Sequence, residues 1–147
     1  MPIHRRAFLT LSLSALAACS HRPAETFHGE TPEMDRLVAK YAALYNMPPG
    51  LLHRVIRRES GYNPDARHGP YYGLMQILPQ TARTMGYEGP SSGLLDAETN
   101  LKYAGKYLRG AWLVSRGNPD RAVKWYANGY YYEAKRMGLL EETGLRS

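Results

Sequence analysis

Pro49-Gly50-Leu51-Leu52-His53-Arg54-Val55-Ile56-Arg57-Arg58-Glu59-Ser60-Gly61 is the stretch on which the fold turns. At 3.6 residues per turn, Leu52, Val55, Ile56 and Glu59 share one stripe, which predicts a helix that buries one face and ends that face in a carboxylate. Two effects push Glu59 towards its protonated form: desolvation against the stripe, and the negative end of the helix dipole. A carboxyl group that keeps its proton near neutral pH suits a general acid. Arg57 and Arg58 would oppose the shift, but they lie about 100 to 200 degrees around the axis and are expected in solvent. A lone glutamate near a helix end is ordinarily a solvated surface residue, so position alone assigns no chemistry.

The residues that follow change the reading. Ser60-Gly61-Tyr62-Asn63-Pro64 stops the helix, and Gly73-Leu74-Met75-Gln76-Ile77-Leu78-Pro79-Gln80-Thr81-Ala82 comes soon after. Glu59-Ser60-x-Tyr62-Asn63-Pro64-x-Ala66 followed by Gly73-Leu74-Met75-Gln76-x-x-Pro79-x-Thr81-Ala82 resembles the catalytic domain of soluble lytic transglycosylases, the goose-lysozyme-like muramidases of bacteria. The likeness runs on through Leu95-Asp96-Ala97-Glu98-Thr99-Asn100-Leu101, Gly105 and Tyr107-Leu108 to Ala122-Val123-Lys124-Trp125-Tyr126, most of the chain after residue 32. Three positions depart from the family pattern. His68 stands where the family commonly has a serine, in a loop one residue shorter. Leu78 replaces a frequent methionine. Tyr126-Ala127-Asn128-Gly129 replaces Tyr-Asn-Ala-Gly.

Working outward, the fold class reads as all-α, or mainly α: a lysozyme-like helical domain with a substrate cleft. Thr31 as N-cap and Pro32 at the first helical position open a helix with Leu37, Val38, Tyr41, Ala42, Leu44 and Tyr45 at helical spacing. Pro48-Pro49 breaks it and starts the Glu59 helix. His68 to Tyr72 reads as a loop, Pro79 begins a short helix ending near Gly86, and Tyr87 to Gly93 is loop again. A long helix is expected from Ala97 to about Ser115, with Leu101, Ala104, Leu108, Ala111 and Trp112 on one face. Asn118-Pro119 caps the next, carrying Ala122, Val123 and Tyr126. The Asn128-Gly129 pair ends that helix rather than turning a hairpin. No alternation sustains a strand, and there are no internal repeats.

The N-terminus reads as an export signal. Met1 to Arg6 is short and basic, and the apolar Ala7–Ala18 is far shorter than the roughly twenty residues that span a bilayer. Arg5-Arg6-Ala7-Phe8-Leu9 resembles the twin-arginine motif. Leu16-Ala17-Ala18-Cys19 resembles a bacterial lipobox, in which Cys19 is acylated and becomes the mature N-terminus. Residues 1–18 are then a signal peptide, 19–31 a lipidated tether and 32–147 the catalytic domain, exported to the periplasmic face of the outer membrane. Soluble periplasm is the alternative. The tether's reach as a flexible coil is about 15–20 Å. Cys19 is the one cysteine, so an intrachain disulfide is excluded, and the roughly 115 remaining residues must be held by one core.

Composition narrows the partners. The formal net charge is +6, from 19 basic and 13 acidic side chains, and the balance becomes 17 against 13 without Arg5 and Arg6. A modest surplus suits an anionic wall polymer. Nucleic acid is not expected, since no basic run interleaved with aromatics is present. Neither metal nor cofactor is expected, because His4, His21, His28, His53 and His68 show no ligand spacing.

Most glycosidases use two carboxylates across the scissile bond. Asp65, Glu88, Asp96 and Glu98 read instead as solvated or capping groups. One acid suffices if the substrate supplies the nucleophile, and the resemblance implies that route. Glu59 protonates the glycosidic oxygen, then accepts a proton from the C6 hydroxyl of N-acetylmuramic acid, leaving a 1,6-anhydromuramoyl end. By motif position, Ser60 and Gln76 would hydrogen-bond around Glu59 or the sugar, and Tyr126 would face the acid across the cleft. Met75 would be a wall packed behind the site. His68 would contact substrate or cap its loop; Tyr62, Tyr71 and Tyr72 are candidates for stacking on sugar faces. Tyr130-Tyr131-Tyr132 is an aromatic run near the cleft. The alternatives are a hydrolytic muramidase on the same fold and a non-catalytic peptidoglycan-binding lipoprotein.

Overall fold

The computed structural model describes residues 29–146; the expected signal peptide, Cys19 and most of the tether lie outside them. Among the described residues the order is α1 (Pro32–Leu44), α2 (Pro49–Ser60), β1 (Arg67–His68), β2 (Tyr71–Tyr72), α3 (Pro79–Thr84), a 3-10 turn (Ser91–Leu95), α4 (Ala97–Val114), α5 (Pro119–Asn128) and α6 (Tyr131–Met137). The domain is mainly α, as the periodicity predicts. Two short elements differ from the expectation. The segment read as a loop from His68 to Tyr72 holds an antiparallel hairpin pairing Arg67 with Tyr72 and His68 with Tyr71, with two residues per strand and hence no alternation to read. The segment after Gly129, read only as an aromatic run, forms α6.

Helix starts follow the predicted caps. Thr31 accepts from the Met34 N–H at 3.1 Å, Asp96 from Thr99 N–H at 2.8 Å and Asn118 from Arg121 N–H at 2.9 Å. Pro32, Pro49, Pro79 and Pro119 occupy first-turn positions, where the fixed φ is already helical and the missing N–H has no partner to lose. Gly61, at φ +59°, closes α2.

α4 is the central helix, and α1, α3, α5, α6 and the 3-10 turn pack on it. Its Leu101, Ala104, Leu108 and Ala111 are fully buried. α2 lies against α1 and α5 through Leu51, Leu52, Val55 and Ile56, all at most 3% exposed. Each such burial stabilises by about 1.5–3 kcal/mol. The stripe predicted for α1 is shifted: Met34 joins Val38, Tyr41 and Ala42 in the core, while Leu44 is 64% exposed, roughly 120 to 160 degrees around the axis from Val38 and Ala42. Gly110 is required by contact, since a Cβ there would stand 2.1 Å from the Tyr130 hydroxyl. That approach lets Tyr130 donate to the Tyr107 carbonyl at 2.8 Å and stack on the Tyr107 ring at 4.8 Å, fixing α6 to α4. The C-terminus of α2, the hairpin and the C-terminal half of α5 meet around one cleft.

Candidate active site

Glu59 occupies the last turn of α2, where the buried stripe reaches the surface. It lines a cleft of about 270 Å³ with Arg58, His68, Tyr71, Gln76 and Tyr126. Burial raises its pKa above the ordinary carboxylate value, and the charges of Arg58 and His68 pull back against that rise. Arg58 is exposed, as helical spacing predicts, yet it reaches the acid. Its long stem folds back at the helix end and brings Nε to 3.6 Å from the carboxylate. The direction of the shift nevertheless stays upward, because desolvation outweighs a guanidinium that is itself half in water.

Opposite Glu59 runs the segment from Gly73 to Gln76, and its shape is imposed by side chains from three helices. From α2, Ser60 donates its hydroxyl to the Leu74 carbonyl at 2.7 Å. From α4, Asn100 accepts the Met75 N–H at 2.9 Å and donates to the carbonyls of Tyr72 at 2.9 Å and Leu94 at 2.8 Å. From α5, Tyr126 donates to the Met75 carbonyl at 2.7 Å. A short loop in a core would otherwise bury unpaired backbone groups, each a free-energy cost. Gly73 sits at φ +75°, and a Cβ there would fall 2.3 Å from the Asn100 amide and the Leu94 carbonyl. Gln76 follows at φ +50°, an uncommon conformation for a side-chain-bearing residue, held by its own amide bonding back to the carbonyls of Gly73 at 2.8 Å and Ala66 at 3.0 Å.

That use of the Gln76 nitrogen leaves its oxygen as acceptor. His68 Nδ1 lies 2.8 Å from Gln76 Oε1, so the ring carries its proton on Nδ1 and keeps Nε2 for the cleft. His68 therefore ties its loop to Gln76 and lines the cleft.

The other predicted residues divide. Ser60 bonds the loop backbone rather than Glu59. Met75 is fully buried and packs behind the site, so only its backbone takes part in shaping the cleft. Tyr126 is buried and lies across from Glu59, whose charge adds to the burial that drives the phenol pKa well above its usual value. Tyr72 is turned away: its hydroxyl accepts from Arg67 at 2.9 Å under a guanidinium 4.4 Å from the ring. Successive residues of a strand face opposite sides, and the tyrosine that lines the cleft is Tyr71. Tyr62 is in the core at 1% exposed, hydrogen-bonded to His53 and Glu30, and meets no sugar.

Among the described residues Glu59 is the one carboxylate lining this cleft. Asp65 is exposed and its N–H is held by the Asn63 side chain. Asp96 caps α4, Glu98 accepts from Lys40 and Tyr41, and Glu88 is exposed. Ligand atoms of Glu30, Asp35 and His53 come within 4.8 Å of one another, a proximity across the fold that sequence spacing does not show. Hydrogen bonds from Tyr62 and an Arg57 guanidinium at 3.7 Å from Glu30 already engage that group.

Asn100 is the residue that sequence reasoning left without a role. Its signal was present: a polar side chain on the Ala104-Leu108-Ala111 face, where every neighbour is apolar. Ala127 and Asn128 were likewise not foreseen beside the cleft, which continues past Tyr126 into a second depression of about 270 Å³ bordered by Tyr107, Asn128 and Gly129.

Comparison with known proteins identifies the family. Residues 36–138 match the family model described as "Transglycosylase SLT domain". The chain is 36% identical over 97 residues to "Membrane-bound lytic murein transglycosylase F" of Shewanella woodyi (strain ATCC 51908 / MS32), an alignment covering 60% of this chain and 19% of that protein. The chain thus spans about a fifth of the length of the curated relative it matches.

Proposed function

The chain belongs to the transglycosylase SLT domain family, and from that premise we propose that it is a lytic transglycosylase of peptidoglycan. It cleaves the β-1,4 bond between N-acetylmuramic acid and N-acetylglucosamine and leaves 1,6-anhydromuramoyl ends. The observation that carries the reading is Glu59, a lone carboxyl group in its cleft whose pKa is raised by burial at the end of an apolar stripe.

The chemistry follows from that isolation. Glu59 gives its proton to the glycosidic oxygen as the bond to C1 of the muramic acid breaks. The carboxylate then takes the proton of the C6 hydroxyl as O6 bonds to C1, which restores the acid and consumes no water. Burial favours the protonated form needed first, and Arg58 favours the carboxylate needed second. Gln76 and Tyr126 give the cleft its wall, with Ser60 and Met75 behind it. His68 Nε2 and the Tyr71 ring are the groups free to meet sugar. Residues 1–18 act as export signal and 19–31 as a tether whose acylated Cys19 holds the domain at the periplasmic face of the outer membrane. The relative's membrane-bound designation supports that placement.

Digestion of purified peptidoglycan and mass spectrometry of the products tests the assignment. Anhydro ends make the muropeptides lighter by about 18 Da, one water, than hydrolysis products, and borohydride does not reduce them. Reducible muramic acid ends would replace this reading with hydrolysis.

A further inference from the structure

The cleft does not end at Tyr126. Its second depression reaches Asn128 and Gly129, and both residues also border a third hollow of about 400 Å³ lined by Trp125, Tyr131, Tyr132 and Arg136. Asn128 and Trp125 in turn border a fourth of about 340 Å³, with Arg121 and Lys124. Each hollow shares lining residues with the next, so the hollows adjoin one another from Glu59 to Arg121 along α5 and onto α6.

Exposed aromatics concentrate on this run. The large hydrophobic side chains exposed among the described residues are Leu44, Tyr71, Tyr131 and Tyr132, and the three tyrosines all line it. Tyr132 is 83% exposed, and its ring meets Tyr131 edge-on at 5.4 Å, so two faces stand at nearly right angles above the third hollow. A single exposed apolar residue needs no explanation, but a cluster rimmed by polar groups marks a binding surface. Arg136 is held beside it by two bonds to Glu133, at 2.6 and 2.9 Å. Asn128, Glu133 and Arg136 complete the rim, and Arg121 and Lys124 line the adjoining hollow.

We propose that the Trp125-Tyr131-Tyr132 hollow is a remote binding site for the same glycan strand whose reacting sugars lie at Glu59. Flat rings accept the C–H face of a pyranose while the surrounding polar groups reach its equatorial hydroxyls. The occupant is set by two features. A polymer bound in the cleft must leave it along the surface, and this run of hollows adjoins the cleft. Arg136 is already paired with Glu133 in the hollow itself, but Arg121 and Lys124 of the adjoining hollow match the carboxylates that peptidoglycan carries on its lactyl-linked peptides. The proposal rests on the reading of the Glu59 cleft as a glycan site, and it adds that long strands are held by more than the cleft.

The test uses the full chain with Glu59→Gln, so that binding is measured without cleavage. Co-sedimentation with purified peptidoglycan strands is compared with titration of one disaccharide-peptide unit. Adding Tyr131→Ala and Tyr132→Ala is expected to weaken strand binding about tenfold, as loss of exposed aromatic anchors does, and to alter binding of the single unit less than twofold. Unchanged strand binding overturns the proposal and leaves the patch to a protein partner. An equal loss on both ligands overturns it in favour of a structural role for the tyrosines. If the Glu59-intact chain cuts no peptidoglycan yet its strand binding depends on the two tyrosines, the catalytic reading fails while the remote site stands.

Discussion

Asn100→Ala removes the side chain that joins α4 to the segment facing Glu59, and the structure sets the size of the loss. The amide is fully buried and makes three bonds of 2.8 to 2.9 Å, to Met75 N–H and to the carbonyls of Tyr72 and Leu94. The three partners are not equivalent. The Tyr72 carbonyl also accepts from Ile77 N–H at 3.1 Å and stays satisfied, whereas Met75 N–H makes its bond to Asn100 and would be left without an acceptor. A buried polar group left unpaired costs about 1–3 kcal/mol, so losing Met75 N–H and weakening Leu94 together predict about 3–4 kcal/mol. Against a domain stability of about 5–15 kcal/mol, the variant remains folded and measurable.

Urea denaturation followed by circular dichroism at neutral pH gives the difference. Asn100→Asp separates hydrogen bonding from volume. It retains an acceptor for Met75 N–H but turns a carboxylate oxygen towards two carbonyl oxygens. Burial without a donor partner raises the pKa of the introduced group, so its folded value exceeds the unfolded one. Stability is then present below the ordinary carboxylate range and lost as pH rises through the shifted value. The Asp variant should therefore recover stability on acidification relative to wild type, and the Ala variant should not. A loss below about 1 kcal/mol for Asn100→Ala would refute the argument that this amide satisfies the loop's buried backbone.

Glu59→Gln should keep the fold and lower turbidity clearance of cell walls by about a hundredfold to ten-thousandfold, with near-normal clearance sinking the assignment. The same variant should melt higher than wild type at neutral pH. Glu59's folded pKa is raised, so its stability contribution is full below the unfolded value and lost as pH rises through the folded one, and the gap should close on acidification. Tyr126→Phe should cost about 1–2 kcal/mol in denaturant unfolding, since the buried Met75 carbonyl loses its donor. Cys19→Ala should shift the exported protein from the membrane pellet to the soluble periplasmic fraction and abolish fatty-acid labelling. Persistence in the pellet would exclude lipid anchoring.

The helices before Gly129 were legible because their starts are chemically marked, whereas α6 follows Tyr130 with no side-chain cap. Thr31-Pro32, Pro48-Pro49, Pro79 and Asn118-Pro119 combine fixed φ with caps, and the stripes between them repeat at helical spacing. The hairpin at Arg67–His68 and Tyr71–Tyr72 was not legible, since two residues carry no period. The outward turn of Leu44 also escaped, because an apolar stripe this wide does not show which of its edges the core covers. Glu59 itself was legible for a local reason: an apolar stripe within one helix ends in a carboxylate. The loop opposite obeys different physics. Ser60 and Tyr126 were read as sugar contacts because their positions matched a motif. Which backbone groups go unpaired, though, is defined only once the path from Gly73 to Gln76 exists, and that path depends on α2, α4 and α5 together. Gly73 and Asn100 show the dependence most clearly, since the Cβ missing from one makes room for the amide of the other across 27 residues of chain. It follows that a change at Asn100 alone would leave the Glu59-Ser60 and Gly73-Gln76 motifs intact on paper, while the wall that faces the acid lost its anchor.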